Sequence, residues 1–181
     1  FALYALEQHL LENELQVELV CLLGSVLDQP YVARILETFS VNTVYHAAAY
    51  KHVPIVEDNA EVAVENNIVG TYLLANTSKA FNVSNFVFIS SDKAVRPTNV
   101  MGATKRLSEL IIQAFAEISN DTIFSMVRFG NVLGSSGSVI PLFRKQIFYT
   151  MNKNWHLIHN FLHSLLYSRS NCSSLSFSGI R

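Results

Sequence analysis

The sequence predicts an α/β protein in which helices alternate with the strands of a parallel sheet. Short runs of β-branched and aromatic residues, such as Asn85–Ser90, alternate with longer segments whose apolar residues recur at helical spacing, such as Met101–Ile118. Strands separated by helices favour right-handed βαβ units and a doubly wound sheet covered on both faces. Half of the 181 residues are apolar, which is enough for a sizeable core.

The first half of the chain begins with a helical pattern over Phe1–Asn13, where leucines recur three to four residues apart. Val17–Leu23 is a short, mostly apolar run that ends at Gly24, which predicts a buried strand. Pro30 stands where helices begin, and it opens a predicted helix over Pro30–Phe39. The remaining predicted elements of this half are the strand Thr43–His46 and the helix Ala60–Ala80.

The second half repeats the alternation. Asn85–Ser90 predicts a strand because it is rich in aromatic and β-branched residues. Met101–Ile118 predicts a helix with one apolar stripe, and a strand follows at Thr122–Arg128. The stripe consists of Leu107, Leu110, Ile111, Ala114 and Ile118.

Composition excludes several classes of function. The chain has 13 basic and 14 acidic side chains, so it lacks the basic excess that a nucleic-acid binder needs. Cys21 and Cys172 are too few for a disulfide framework or a zinc site, and we interpret them as reduced thiols. No run approaches the roughly 18 apolar residues of a membrane helix.

The distribution of charge indicates two regions. Every acidic residue lies at or before Asp121, whereas Met151–Arg181 has none and contains seven serines. We therefore predict a partial Rossmann-type domain over residues 1–147 and a divergent tail over 148–181. Within the tail, we expect Met151–Arg181 to be poorly ordered or loosely docked. The tail composition also fits a shift of reading frame. The chain starts at Phe1 without a signal pattern, so we expect an internal piece of a longer protein.

Ligands of parallel α/β sheets bind at the carboxyl ends of the strands. At one such end, Asp92 and Lys93 directly follow the strand Asn85–Ser90. An acid beside a base suits proton transfer in both directions. The alternative is a solvated turn with an incidental ion pair, and position alone does not decide between the two.

Met101 and Lys105 are four residues apart on a predicted helix and therefore share a face. A Tyr at the first position would form a proton-transfer pair with the lysine, which also holds a nicotinamide ribose. Met cannot transfer a proton, so the residue itself favours a core role for Met101 and leaves Lys105 as a candidate ribose ligand.

Two further segments follow predicted strands. The glycines and serines of Arg128–Ser138 suit a phosphate or a sugar, although a surface loop would show the same composition. The alanines after His46 would let a flat ligand lie against the backbone, or would simply allow tight packing. His46 and His52 lack the spacing of a metal site, and His156, His159 and His163 lack an acidic partner, so we expect no metal.

Residues Val44–Ile147 resemble the catalytic domain of the nucleotide-sugar dehydratases of polysaccharide biosynthesis, which are extended short-chain dehydrogenase/reductases of the UDP-N-acetylglucosamine 4,6-dehydratase type. Four motifs carry the resemblance: HAAAYKHVPIVE (His46–Glu57), ENNIVGT (Glu65–Thr71), ISSDKAVRPTNVMGATKR (Ile89–Arg106) and VRFGNVLGSSGSVIPLF (Val127–Phe143).

The resemblance implies NADP or NAD as cofactor and a UDP-N-acetylhexosamine as substrate. A hydride leaves C4 of the sugar, water is eliminated across C5–C6, and the hydride returns to C6. Asp92 matches the acid, Lys93 the C5 base, and Met101 and Lys105 the positions of the Tyr–Lys pair. Matches to the cofactor-binding positions are Ala47, Ala48, Ala49, Asn67 and Lys105; matches to the substrate-binding positions are Lys51, Asn131, Ser135 and Ser138.

The chain also departs from the family pattern. Met101 replaces the catalytic Tyr, as in the large membrane-anchored members, and Ser25 replaces an Asp near the adenine. No GxGxxG motif is present, so the first β-α-β unit of the Rossmann fold is missing and the pyrophosphate has no cradle. We expect the isolated chain to bind NAD(P) poorly.

Three functions remain open. The first is a fragment of a dehydratase, inactive alone, from a cytoplasmic protein or from the cytoplasmic side of an inner-membrane one; the family also allows a homo-oligomer. The second is a nucleotide-sugar 4-epimerase, which would not need the Asp92–Lys93 pair for elimination. The third is a non-catalytic remnant or binding module.

Overall fold

Three parallel strands lie at the centre of the fold. The computed structural model describes residues 2–12 and 17–130. The helices are α1 (Ala2–Glu12), α2 (Gln29–Thr38), α3 (Val53–Asp58), α4 (Ala60–Val64), α5 (Gly70–Ala80) and α6 (Val100–Ile118), and the strands are β1 (Thr43–His46), β2 (Asn85–Ser91) and β3 (Ile123–Phe129). A π-helical turn, Glu65–Val69, joins α4 to α5, and a 3-10 turn, Asp92–Ala94, follows β2.

The strands lie in the order β1-β2-β3, with β2 in the middle. Thr43 pairs with Asn85, and Asn85 pairs in turn with Ile123, so all three strands run in parallel. The predicted parallel α/β fold is confirmed. The carboxyl ends of the strands therefore lie at one edge of the sheet, where ligands of such folds bind.

Alternate residues of β2 form the core. Phe86 and Phe88 are fully buried, and they pack with Leu74 of α5, Ile112 of α6 and Phe124 of β3. Helices thus cover this face of the sheet. On the other face the described residues leave side chains in solvent, among them Tyr45 at 73% and Ile123 at 68% exposure.

The prediction of helices on both faces therefore holds for one face in the part of the chain that is described. Right-handed crossovers that add strands in one direction place their helices on one side of the sheet. Helices on the opposite side come with strands beyond the switch point, where the order of strands reverses. The three observed strands and their crossovers all run in a single direction.

The predicted strand at Val17–Leu23 is wrong. This segment has no regular structure, and its apolar side chains are largely exposed, with Leu23 at 83%. In the doubly wound strand order 3-2-1-4-5-6 the third strand pairs with the second, not with the fourth. If β1 is the fourth strand of that order, the apolar run has no neighbour with which to pair among the three observed strands.

The predicted helix Ala60–Ala80 is confirmed but contains the π-helical turn at Glu65–Val69. Such turns insert a residue into an α-helix and are frequent at functional sites. This turn buries Asn67, which is 1% exposed.

The buried face of α6 carries polar residues beside the core residues Ile112 and Phe115. Leu107, Leu110 and Ile118 of the predicted apolar stripe are exposed, whereas Thr104 and Ser108 are buried. Two side chains cap the start of the helix: Asn99 Oδ1 accepts from Gly102 N at 2.8 Å, and Glu57 Oε1 accepts from Val100 N at 2.6 Å. Periodicity predicted the helix but not which face is inward.

Within the described ranges, no helix combines the length and the hydropathy that crossing a bilayer requires. The predicted tail, 148–181, lies outside the described residues, and the boundary at residue 147 stays a prediction.

Candidate functional site

The central strand β2 ends in a turn that carries an acid and a base. Lys93 Nζ lies 3.2 Å from Asp92 Oδ1, and the two side chains are 38% and 55% exposed. Ser91 Oγ donates to Asp92 Oδ1 at 3.0 Å and accepts from the backbone N–H of Lys93 at 3.3 Å. The turn is therefore held in shape by Ser91, a residue that the sequence analysis did not single out.

The hydroxyl of Ser91, and then the ammonium of Lys93, lower the pKa of Asp92. Asp92 is consequently a carboxylate at neutral pH, and the pair is an ion pair open to solvent. A pair of this kind contributes at most about 1 kcal/mol to stability. The pair is therefore of interest for function, because it lies at the carboxyl end of the central strand, and not for its contribution to stability.

The start of α6 lies directly against this turn. A side chain at Gly102 would collide with the carbonyl oxygen of Lys93. The absence of a Cβ at this position therefore sets how near the helix approaches the Asp92–Lys93 turn. Gly130, which follows β3, also lies near the turn: a Cβ at this position would stand 3.8 Å from Asp92 Oδ2.

Lys105 projects from α6 beneath the end of β2 and is 7% exposed. Its Nζ donates to the backbone oxygen of Ile89 at 2.9 Å and lies 4.7 Å from the ring centroid of Phe88. Burial lowers the pKa of Lys105 to about 8, and the nearby carboxylate of Glu109 opposes that fall. Lys105 thus joins the same edge of the sheet as Asp92 and Lys93.

Met101 points into the protein interior. It is 3% exposed and packs with Val56 and Ala63 in a small apolar cluster. Its thioether can neither donate nor accept a proton, so this position supplies packing at the base of the site.

The end of β1 is anchored by a buried histidine. His46 is 1% exposed, and its Nε2 lies 2.8 Å from Thr71 Oγ1. The Thr71 hydroxyl donates its proton to Asn67 O at 2.6 Å, so it accepts from His46. This assigns the neutral Nε2–H form to His46 and leaves Nδ1 buried without a hydrogen-bond partner among the described residues.

Asn67 braces the loop that follows His46. Its side chain accepts from the backbone N–H of Tyr50 at 2.7 Å and donates to the backbone oxygen of Tyr50 at 3.0 Å. The same amide nitrogen donates to Thr104 Oγ1 on α6 at 3.1 Å. The loop is therefore held at both ends, by His46 and by Asn67.

Between these anchors, Ala47 and Ala48 are exposed and Ala49 is half-buried, and Lys51 lies exposed just beyond. A groove of about 440 Å³ opens beside the loop and is lined by Ala49, Lys51, Val56 and Ala63 among others. Small side chains on a braced loop leave room for an extended ligand against the backbone.

Of the predicted site residues, the structure brings Asp92, Lys93 and Lys105 to one edge and places the alanine loop at the end of the adjacent strand. Asn131, Ser135 and Ser138 lie outside the described residues. In the described ranges, no three His, Cys, Asp or Glu side chains converge as metal ligands would.

Glu109 was not predicted. It is fully buried on α6 and accepts hydrogen bonds from side chains of both β2 and β3. The only sequence signal is that it follows Lys105 by four residues, which places both on one helical face.

Comparison with known proteins gives the fold a class and the chain a family. A UDP-glucose 4-epimerase from Brucella ovis, solved in complex with NAD, superposes with a TM-score of 0.59 at 22% identity, covering 64% of this chain and 39% of that one. The chain thus has a Rossmann fold. The chain belongs to the polysaccharide biosynthesis protein family, whose model matches residues 1–154.

Two of the relatives that match this chain are named for different enzymatic activities. The chain is 51% identical over 132 residues to the capsular polysaccharide biosynthesis protein CapD of Staphylococcus aureus, covering 73% of this chain and 22% of that protein. It is 41% identical over 109 residues to a UDP-N-acetylglucosamine 4,6-dehydratase (inverting) of Campylobacter jejuni, and 42% identical over 109 residues to a UDP-glucose 4-epimerase of Rickettsia rickettsii. These alignments cover 59% of this chain in both cases, and 33% and 32% of the relatives. The chain therefore spans between a fifth and a third of the length of these relatives.

Proposed function

We propose that this chain forms the acid–base part of an NAD(P)-dependent nucleotide-sugar 4,6-dehydratase that acts on a UDP-N-acetylhexosamine. The observation that carries the proposal is the Asp92–Lys93 pair at the carboxyl end of the central strand. Elimination of water across C5–C6 needs a base for the C5 proton and an acid for the C6 hydroxyl, on one edge of the sugar.

The observed ion pair is one proton transfer away from the form that elimination needs. Transfer of a proton from the Lys93 ammonium to the Asp92 carboxylate gives a neutral amine and a carboxylic acid. Burial under a bound substrate favours this neutral pair, because a low dielectric disfavours both charges. Lys93 then takes the C5 proton, Asp92 protonates the departing C6 hydroxyl, and the ion pair is restored.

The residues around the pair fit a dinucleotide cofactor. Ala47 and Ala48 offer a surface without long side chains, and Asn67 keeps the loop that carries them in place. The Lys105 ammonium has three donors, of which the Ile89 oxygen accepts one, so it can also bind ribose hydroxyls. When bound, NAD(P) supplies the chemistry that takes a hydride from C4 and returns it to C6.

The substrate would meet the charged rim of the site. Lys51 is exposed at the end of the braced loop, where it can approach a phosphate of a nucleotide sugar. Asn131, Ser135 and Ser138 remain predicted substrate contacts on their sequence positions. Met101 cannot deprotonate the C4 hydroxyl, so another group has that role in the whole protein.

A graft tests the proposal. Residues 43–99 replace the equivalent segment of the Campylobacter dehydratase, so that the chimera contains Asp92 and Lys93 but keeps the dehydratase's own residue at the position of Met101. The chimera is assayed with UDP-N-acetylglucosamine for the 4-keto-6-deoxy product. In this chimera Lys93→Ala should stop the reaction after hydride transfer, so that reduced nicotinamide accumulates. Loss of a positioned general base costs about 10²–10⁴ in rate. Lys79→Ala is the matched control, since Lys79 donates to Ile118 O far from the turn.

Asp92→Asn should block at the same stage, because water cannot leave C6 without a proton. If Lys93→Ala prevents cofactor reduction altogether, Lys93 acts at C4 or in binding, and the assignment as elimination base is wrong.

A 4-epimerase is the second candidate, because the chain is 42% identical to the Rickettsia epimerase and 41% identical to the Campylobacter dehydratase, in each case over 109 residues. The product separates the two: an epimerase inverts C4 and keeps the C6 hydroxyl. A chimera that yields a C4 epimer without loss of water would favour this second candidate.

A further inference from the structure

Glu109 is a buried carboxylate with every acceptor position occupied. Its side chain is 0% exposed. Oε1 accepts from Ser90 Oγ at 2.6 Å and from Arg128 Nε at 2.7 Å, while Oε2 accepts from Arg128 Nη2 at 2.7 Å and from Arg106 Nη1 at 2.9 Å. The four bonds fill the capacity of a carboxylate. These hydrogen bonds lower the pKa of Glu109 to about 2, so it stays ionised.

The donors of these bonds are Ser90 from β2, Arg128 from β3 and Arg106 from α6 itself. Ser90 is the residue of β2 directly before the Ser91–Asp92–Lys93 turn. Arg128 lies near the end of β3, two residues before Gly130, which approaches Asp92 Oδ2. Glu109 itself stands one helical turn after Lys105 on α6. The carboxylate therefore links the two strand ends to the helix that carries Lys105.

Such a network is an inefficient way to gain stability alone. Buried ion pairs can often be replaced by apolar side chains of similar volume without loss of stability. The two parallel bonds to Arg128 instead add geometric specificity, because a planar guanidinium meets a planar carboxylate in one orientation. The geometry thus favours a role in orientation.

We propose that Glu109 is a positioning residue, which sets where the Asp92–Lys93 turn stands relative to Lys105. That the positioned groups are catalytic rests on the proposed function. The effect of Glu109 on the position of the turn does not depend on it. Glu109 touches neither Asp92 nor Lys93; it acts through Ser90 at the end of β2 and through Arg128 at the end of β3.

Glu109→Gln in the full chain tests this. A Gln side chain has one acceptor oxygen, so in either orientation its NH₂ group faces an Arg128 donor. Amide exchange should then rise for Lys93 and Val95, whose N–H groups bond within the turn, relative to the core amide of Ile112. The expected excess is about 10- to 100-fold, the range that corresponds to loss of hydrogen bonds to a charged group. Glu117→Gln, an exposed glutamate on the same helix, is the control and should change neither amide.

A second readout is the titration of Lys105 by side-chain NMR. Glu109→Gln removes a negative charge that favours the ammonium, so the pKa of Lys105 should fall below about 8; His46, the other titratable group facing it, is neutral in both proteins. Glu109→Asp keeps the charge but shortens the side chain. It should restore the titration of Lys105 and leave the turn loose.

Ser90→Ala keeps the test decisive if Glu109→Gln does not fold, because it removes one bond and leaves both arginines paired. It should raise exchange in the turn without raising it at Ile112. Equal acceleration of the turn and the core, or an unchanged Lys105 titration in Glu109→Gln, would reduce Glu109 to general stabilisation and overturn the proposal. None of these measurements needs turnover, so failure of the Lys93→Ala experiment would leave them intact.

Discussion

Lowering the pH from 7 to 4 should destabilise this protein mainly through His46. Burial, and then the positive charge of Lys105, lower the pKa of His46 from 6.5 to about 4 in the folded state. The unfolded chain takes up a proton near pH 6.5, whereas the folded chain does not until about pH 4. Stability therefore falls with pH across this window and is fully present above it.

The size of the effect follows from the fall in pKa. Each pKa unit corresponds to about 1.36 kcal/mol, so the loss is about 2 kcal/mol at pH 5 and about 3 kcal/mol at pH 4. His46 is 1% exposed, so solvent screens this effect little. A loss of this size is a large part of the stability of a typical domain.

Urea unfolding at pH 7, 6 and 5 measures the window. His46→Gln keeps a donor for Thr71 but cannot titrate, so its free energy of unfolding should change little between pH 7 and pH 5. His52→Gln is the control, since His52 is exposed, and should retain the full pH dependence. If His46→Gln loses as much stability as the unmodified protein between pH 7 and pH 5, the buried neutral histidine is not the cause of the pH dependence.

Three further predictions concern stability. Gly102→Ala gains about 1 kcal/mol of helix propensity. The new Cβ collides with the Lys93 carbonyl oxygen, and this overlap costs about 1–3 kcal/mol. Chemical denaturation should therefore show a net loss of stability, and a more stable variant would contradict the close approach of α6 to the turn. Folding lowers the pKa of Glu109 from 4.5 to about 2, so the protein should lose further stability as the pH falls through that range. We expect a loss of about 2 kcal/mol, because solvent around the half-exposed arginines screens part of the interaction. Acid titration of Glu109→Gln should lack this loss. Ile112→Ala truncates a fully buried side chain and should cost about 2–5 kcal/mol, measured by urea unfolding, whereas the exposed Leu110→Ala should cost far less.

Local sequence determined the elements and the adjacency of the acid and the base. β1, β2, β3 and α6 lie within two residues of their predicted bounds, because their alternation and helical periodicity agree with the packing that the fold provides. Asp92 and Lys93 are neighbours in the chain, so their ion pair needed no tertiary information. Met101 and Lys105 lie on one helix, and both proved to be buried.

Tertiary structure decided whatever depends on partners distant in the chain. Val17–Leu23 has the composition of a strand, yet a strand forms only where a neighbour offers its N–H and C=O groups, and no segment among residues 2–12 and 17–130 does so. The apolar stripe through Leu107 and Leu110 is exposed because α6 turns a different face inward. That face carries polar as well as apolar residues, and on it Glu109 meets Ser90 and Arg128. A buried carboxylate is stable only when all its donors converge on it, and donors from two strand ends and a helix converge only after the chain has folded.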